Sequence, residues 1–239
     1  MRYWGGDERG NTIGNDFPIC VPIATQTLHA AGAAFALLQL KHSSIVVVTL
    51  GDGASSKGDF YEALNFASLH RLPIIFVINN NGWAISVPLE KQSATQQISQ
   101  KGIGFNIPSK TLDGLCVKTV YKSMKEAIKT IKSNGGPILL EYTTYRLCDH
   151  TTADDSKRYK SLSSHDKERA NDPLKTLEVQ LLESGLLNQN SIDLFIKEFN
   201  EKIQSDAILF QSETNLNYNE YKKHVLEKQS IFEPEVSVL

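Results

Sequence analysis

The chain has 239 residues, enough for one domain, or one with an appendage, and enough to bury a core. Its 25 Lys plus Arg against 27 Asp plus Glu leave no field that would draw nucleic acid or an anionic membrane. Apolar runs fall far short of the ~20 residues a bilayer span needs, the N-terminus lacks a basic-then-apolar signal, and Cys20, Cys116 and Cys148 form neither a CxxC nor an even framework, so reduced thiols in a cytosol are expected.

Residues 1–24 are rich in Gly, Asp, Asn and Pro and read as loop. Residues 25–40 read as a helix whose Ala30, Ala31, Gly32, Ala33 and Ala34 give a small-residue face, suited either to tight core packing or to a subunit contact. The run 45–50 is apolar and β-branched without alternation, as in a parallel strand buried on both faces. Asp59 with Glu62 resembles a capping box opening a helix that runs to about Arg71, and Pro73 ends it. Residues 74–78 read as the next buried strand, 92–101 as a short helix, 116–120 as strand, 124–132 as helix and 138–142 as strand. Strands alternating with helices imply a mostly parallel sheet flanked by helices, an α/β fold. Residues 145–164 are polar and read as a loop, and loops of that length in compact domains are often functional. After Asp172-Pro173 the pattern turns helical: Leu174, Leu177, Leu181 and Leu182 share a stripe that Ile192, Leu194, Phe195 and Phe199 continue, with a last helix at about 218–227.

Two apolar runs end in chemistry. Gly51-Asp52-Gly53 closes the first and Asn80-Asn81 the second, so a carboxylate and a carboxamide fall at the carboxyl ends of neighbouring strands, where α/β sheets bind ligands. A hard cation such as Mg²⁺ takes oxygen ligands, usually one or two carboxylates plus cofactor phosphates. Asp52 is the candidate ligand, Asn80 reads as a turn residue, and Gly51, Gly53 and Gly82 are expected to give positive φ or close backbone approach. The amides of Gly53 and Ala54, ahead of a helix start, are suited to a phosphate. His150 stands in the polar loop, and an imidazole titrates near neutrality, which suits proton transfer.

Three blocks in order carry a resemblance: residues 51–62 from Gly51-Asp52-Gly53 to Glu62, residues 80–86 from Asn80-Asn81-Gly82-Trp83 to Ser86, and residues 145–155 from Tyr145-Arg146 through Asp149-His150-Thr151-Thr152 to Asp155. Together they resemble the alpha subunit of the thiamine-diphosphate-dependent decarboxylating component of pyruvate dehydrogenase, a 2-oxoacid dehydrogenase. The likeness is continuous from about Tyr3 to about Tyr159. It implies a thiamine-diphosphate-binding fold over residues 1–165, including a catalytic loop at 144–164, and a C-terminal helical region over 166–239. It implies Mg²⁺ held by Asp52, the Asn81 side-chain amide and the Trp83 backbone carbonyl, Tyr being usual at position 83. Ile23 would then pack on the cofactor beside Gly51, Gly53 and Ala54. His150 would lie near the reacting carbon and assist acyl transfer to lipoamide, while Arg146, Asp155 and Tyr159 hold the loop. Pro22, Thr25 and Gln26 match a segment that binds a monovalent cation, K⁺, in some relatives. Thr151 occupies the position of a regulatory phosphoserine in animal relatives, its plain reading being a hydrogen-bonding loop residue. Branched-chain members carry Arg where this chain has Asn79, which favours the pyruvate branch.

The resemblance further implies a beta subunit as partner in a two-alpha, two-beta assembly, a lipoyl domain of dihydrolipoyl acyltransferase as acceptor, pyruvate as substrate and a cytoplasmic location. It begins well inside the family's alpha subunit, so about the first third, with a Tyr-Arg pair that grips the diphosphate, is expected to have no counterpart, and cofactor binding by the chain alone is expected to be weak. Acetoin or branched-chain 2-oxoacid dehydrogenase is the alternative of the same class. An inactive fragment or interaction protein that retains the fold is the alternative of another.

Overall fold

The computed structural model describes residues 17, 20–161 and 168–212. Four parallel strands form one sheet: β1 (Val46–Gly51), β2 (Ile74–Asn80), β5 (Ser109–Asp113) and β6 (Ile138–Thr143), in the order β1-β2-β6-β5. Helices α1 (Thr25–Gln39) and α2 (Gly58–Leu69) and the long α5 (Val117–Asn134) are the main helices of this unit. Two short strands, β3 (Trp83–Ala84) and β4 (Val87–Pro88), make an antiparallel hairpin after β2, followed by the single turns α3 (Leu89–Gln92) and α4 (Gln100–Ile103). The α/β class expected from the alternating pattern is the class observed.

β2 is one of the two inner strands, and its alternate side chains contribute to two cores. Ile74, Phe76 and Ile78 pack with Phe60, Ala63, Leu64 and Ala67 of α2 and with Ala30, Ala31 and Ala34 of α1. Ile75 packs with Leu140 and Tyr142 of β6 and with Ala127 and Ile131 of α5. The small-residue face of α1 thus splits. Thr27, Ala30, Ala31 and Ala34, at helical spacing, are buried, whereas Gly32 faces open space.

Several expectations need correction. β1 is not buried on both faces: it lies at one edge of the sheet, and Val47 is 48% exposed. The expected capping box at Asp59 is absent; Lys57 caps α2 with no side-chain bond, and the Asp59 carboxylate instead accepts from Thr25 Oγ1 at 2.9 Å and Lys57 Nζ at 3.2 Å. Residues 92–101, expected as a short helix, are mostly loop: α3 ends at Gln92 and α4 begins at Gln100. Residues 117–120, expected as strand, are the first turn of α5. Val117, Val120, Met124, Ala127 and Ile131 repeat at helical spacing, and five residues were too few to separate that period from a strand. The strand lies earlier, in the polar Ser109–Asp113, an edge strand fixed by its pairing with β6.

Among the described residues, 180–212 belong to a second compact unit. Pro173 opens α6 (Pro173–Glu183), with Asp172 Oδ1 accepting from the Leu174 N–H at 2.9 Å. α7 (Gln189–Ser212) follows. The expected stripe is only partly covered: Leu177, Leu181, Leu182 and Ile192 are half-buried, while Leu174, Leu194, Phe195 and Phe199 are exposed. The expected helix at 218–227 lies outside the described residues.

Candidate functional site

The sheet register builds the site. Gly51 pairs with Asn79 and Asn80 with Thr143, so the carboxyl ends of β1, β2 and β6 lie side by side. Asp52, one residue past β1, and Asn81, one past β2, therefore emerge as neighbours. The Asn81 N–H reaches Asp52 Oδ1 at 3.4 Å, and Gln92 Nε2 donates to Oδ2 at 2.8 Å. Asp52 opens a 3-10 turn, Asp52–Ser56, and is 1% exposed. Burial pushes its pKa up, and the bonds from Asn81 and Gln92 with the nearby Arg146 charge only partly offset this.

That shift has a consequence for the cation-free protein. Asp52 holds its proton more readily folded than unfolded, so it contributes a loss of stability as pH rises through the raised value. Asp52→Asn is expected to raise the thermal midpoint in chelator at pH 8, and the gain should shrink as pH falls below the raised value. Calorimetric midpoints of both proteins across that range check it, and a gain independent of pH would contradict it.

The glycines divide. A Cβ on Gly53 would come 2.8 Å from Ala84 Cβ, so the turn and the hairpin touch only because position 53 lacks a side chain. Gly82 has φ +77°. Gly51, at φ −81° with nothing within 4 Å of an added Cβ, meets neither expectation. Ala54 is buried in the Asp52–Ser56 turn, beside Gly53.

Asn80 and Asn81 brace the turn that follows β2. Asn80 Oδ1 accepts from the Gly82 N–H at 3.0 Å and Asn81 Oδ1 from the Trp83 N–H at 3.1 Å, leaving each amide oxygen a second lone pair. Trp83 pairs across the hairpin with Pro88, which has no N–H to offer the Trp83 carbonyl. Among the described residues no three His, Cys, Asp or Glu side chains gather as a metal cluster. A cation here would rest on one carboxylate with amide and carbonyl oxygens, the donor set of a hard ion that keeps phosphate or water ligands.

At the start of α1, Gln26 Nε2 donates to the Thr49 carbonyl at 3.3 Å, while its Oε1 is buried with no partner among the described residues, a fit for a monovalent cation. Thr25 Oγ1 is spent on Asp59, and the Pro22 carbonyl accepts from the Thr25 N–H at 3.3 Å. Ile23 is 61% exposed.

His150 is exposed on the loop after β6, and its N–H donates to Asp154 Oδ2 at 2.8 Å. Tyr159 Oη donates to the same oxygen at 2.5 Å and accepts from Arg146 Nη2 at 2.7 Å. Arg146 Nη2 also donates to the Ile85 carbonyl at 2.8 Å, and the Tyr159 ring lies 5.3 Å from that of Trp83, so the loop is tied to the hairpin that follows Asn81. Burial and the Asp154 carboxylate push the Tyr159 hydroxyl up to about 12, whereas the Tyr159 hydroxyl and the His150 N–H hold Asp154 below its usual range. Asp155 caps the Ser156–Arg158 turn of the loop: its side chain accepts from the Lys157 N–H at 3.3 Å and its carbonyl from the Arg158 N–H at 3.2 Å. Thr151 is exposed.

Four contributing residues carried no motif. Gln92 reaches Asp52, and Lys101 Nζ donates to the Ser55 carbonyl at 2.9 Å within the Asp52 turn. Lys160, buried at 7% exposure and with its pKa lowered by burial, donates to the Arg146 carbonyl at 2.9 Å. Glu141 is fully buried in β6. A signal existed for Glu141 alone, a lone carboxylate in an apolar strand, because a buried charge has to be paired.

A model of the dehydrogenase E1 component family matches residues 6–217. The chain is 45% identical over 172 residues to 3-methyl-2-oxobutanoate dehydrogenase subunit alpha of Mycobacterium tuberculosis (strain H37Rv), covering 72% of this chain and 47% of that one. It is 33% identical over 242 residues to pyruvate dehydrogenase E1 component subunit alpha of Mycoplasma genitalium, covering 97% of this chain and 68% of that one. The corresponding subunit of Staphylococcus aureus (strain MW2) is 40% identical over 190 residues, 76% of this chain and 51% of that one. The chain thus spans about half to two thirds of these relatives' length. From the extent of the family match and the identity to the Mycoplasma genitalium subunit, the chain belongs to the dehydrogenase E1 component family.

Proposed function

We propose that the chain acts as the alpha subunit of a thiamine-diphosphate-dependent 2-oxoacid dehydrogenase, with pyruvate as substrate and with Mg²⁺ bridging cofactor to protein. The observation that carries this reading is the buried Asp52 carboxylate bonded to the Asn81 backbone where β1 and β2 end, with Trp83, two residues on, paired across its hairpin with a proline that has no N–H to offer its carbonyl. When bound, thiamine diphosphate supplies the nucleophilic carbon and the electron sink for decarboxylation. Asp52, the Asn81 amide oxygen and the Trp83 carbonyl would hold the cation, and the Gly53 and Ala54 amides would bind the diphosphate. Gly51 and Ile23 would border the cofactor, and Gln26 would offer Oε1, unpartnered among the described residues, to a monovalent cation. His150 takes and returns a proton at an imidazole nitrogen during transfer of the acyl group to a lipoyl domain. A beta subunit completes the site in a two-alpha, two-beta assembly in the cytoplasm.

A branched-chain 2-oxo acid is the second reading, favoured by the 45% identity to the 3-methyl-2-oxobutanoate subunit. Asn79 favours pyruvate, since it carries no charge for a diphosphate and is engaged with Thr144 Oγ1. Assembly with a beta subunit, followed by dye-linked decarboxylation of pyruvate, 2-oxobutyrate and 2-oxoisovalerate, tests both. Pyruvate is expected to give the highest kcat/KM. A higher value for 2-oxoisovalerate would reverse the order, and turnover of none by an intact assembly would turn the case to an interaction protein.

A further inference from the structure

Glu141 occupies the middle of β6 with its side chain fully buried, yet nothing in the metal or proton-transfer roles above uses it. Three donors from three elements converge on its carboxylate. Asn80 Nδ2 donates to Oε1 at 2.6 Å, the Ser99 N–H to Oε2 at 2.8 Å and Thr111 Oγ1 to Oε2 at 2.7 Å. Burial opposes the charge, and these donors together hold its pKa below the usual carboxylate range. The chain of bonds continues outward. Asn80, gripped by Glu141, uses its remaining amide oxygen on the Gly82 N–H, and its carbonyl accepts from the Thr144 N–H at 2.8 Å. Asn81 is thereby held between two braced residues, with its own oxygen on the Trp83 N–H.

We propose that Glu141 is a positioning residue that fixes the Asn80-Asn81-Gly82 turn, and through it the oxygen ligands of Asn81 and Trp83, by gripping the Asn80 amide from inside the sheet. The role rests on the cation and cofactor reading above. Its chemistry is that of an outer carboxylate orienting an inner ligand shell, whose loss typically lowers metal affinity on the order of 10–100-fold.

The arrangement specifies its own test. In Glu141→Gln the new NH₂ must face either the Asn80 NH₂ or the Ser99 N–H, two donors toward one another. The double variant Glu141→Gln, Asn80→Asp removes that conflict. The new NH₂ at position 141 donates to the new carboxylate at position 80, and the amide oxygen at position 141 accepts from Ser99 and Thr111. The carboxylate at position 80 still accepts from the Gly82 N–H. Every bond is restored and the charge is kept, moved by one side chain.

Two measurements are made on the full chain assembled with its beta subunit: amide hydrogen exchange at Gly82 and Trp83, and calorimetric affinity for thiamine diphosphate in saturating Mg²⁺. Glu141→Gln is expected to speed exchange at both amides and weaken affinity on the order of 10–100-fold. The double variant should recover both to within a few-fold, a rescue that loss of packing volume alone would not give. Unmodified assembly that binds cofactor, with affinity unchanged by Glu141→Gln, overturns the positioning role and leaves the cofactor reading intact. Should Glu141→Gln fail to fold, a folded double variant with affinity still lost overturns it equally. No binding by the unmodified assembly overturns the cofactor reading, and the role with it.

Discussion

Asp52→Ala is expected to abolish Mg²⁺-dependent thiamine diphosphate binding, the largest effect of any single substitution in the chain. The carboxylate is almost fully buried, and it is held to Gln92 and to the Asn81 backbone rather than to any cationic side chain by hydrogen bond. Among the described residues it is the one acidic group at the joined ends of β1 and β2, so no neighbour can replace its charge. A buried pyrophosphate without its cation would carry an uncompensated charge at a penalty of several kcal/mol. The fold should survive, because removing Asp52 removes a group whose ionisation burial already opposes. Titration calorimetry of the assembled protein with thiamine diphosphate, with and without Mg²⁺, checks the result. Unchanged affinity in the variant would sink the metal assignment.

His150→Ala separates chemistry from binding. The His150 N–H is held by Asp154, which Tyr159 and Arg146 fix in turn, so the loop keeps its shape through backbone and neighbours. Its side chain is exposed. The variant is therefore expected to lower acyl transfer to a lipoyl domain by ~10²–10⁴-fold, the range for one proton-transfer group, with little change in cofactor affinity. Rapid-quench measurement of transfer beside calorimetric affinity checks both halves, and an unimpaired transfer rate would refute the role. Tyr159→Phe gives the contrast. It leaves the imidazole in place but removes the hydroxyl that bridges Asp154 and Arg146, leaving only their ion pair at 3.9 Å, so it should raise exchange at the His150 amide before it changes cofactor affinity.

The sequence by itself determined the α/β class, three of the four parallel strands, the helices α1 and α2, the middle of α5, and the placement of Asp52 and Asn81 at strand ends and of His150 in the loop after β6. Those elements are legible because their signals are local: unbroken apolar runs closed by Gly-Asp-Gly and Asn-Asn, and an Ala-rich helical period. Strand β5 was hidden because its residues are polar and it exists only through its ladder with β6. The exposure of Val47 was hidden because strand order, not composition, decides which strand forms an edge. The partners in the second set were decided by tertiary structure, even for Glu141, whose burial in an apolar strand the sequence signals. Gln92 meets Asp52 across 40 positions, and Glu141 meets Asn80 across 61. A hydrogen-bond partner at such a separation leaves no periodicity or spacing in the chain. Only the packing of α3 against the Asp52 turn, and the pairing of β2 with β6, brings the atoms within reach.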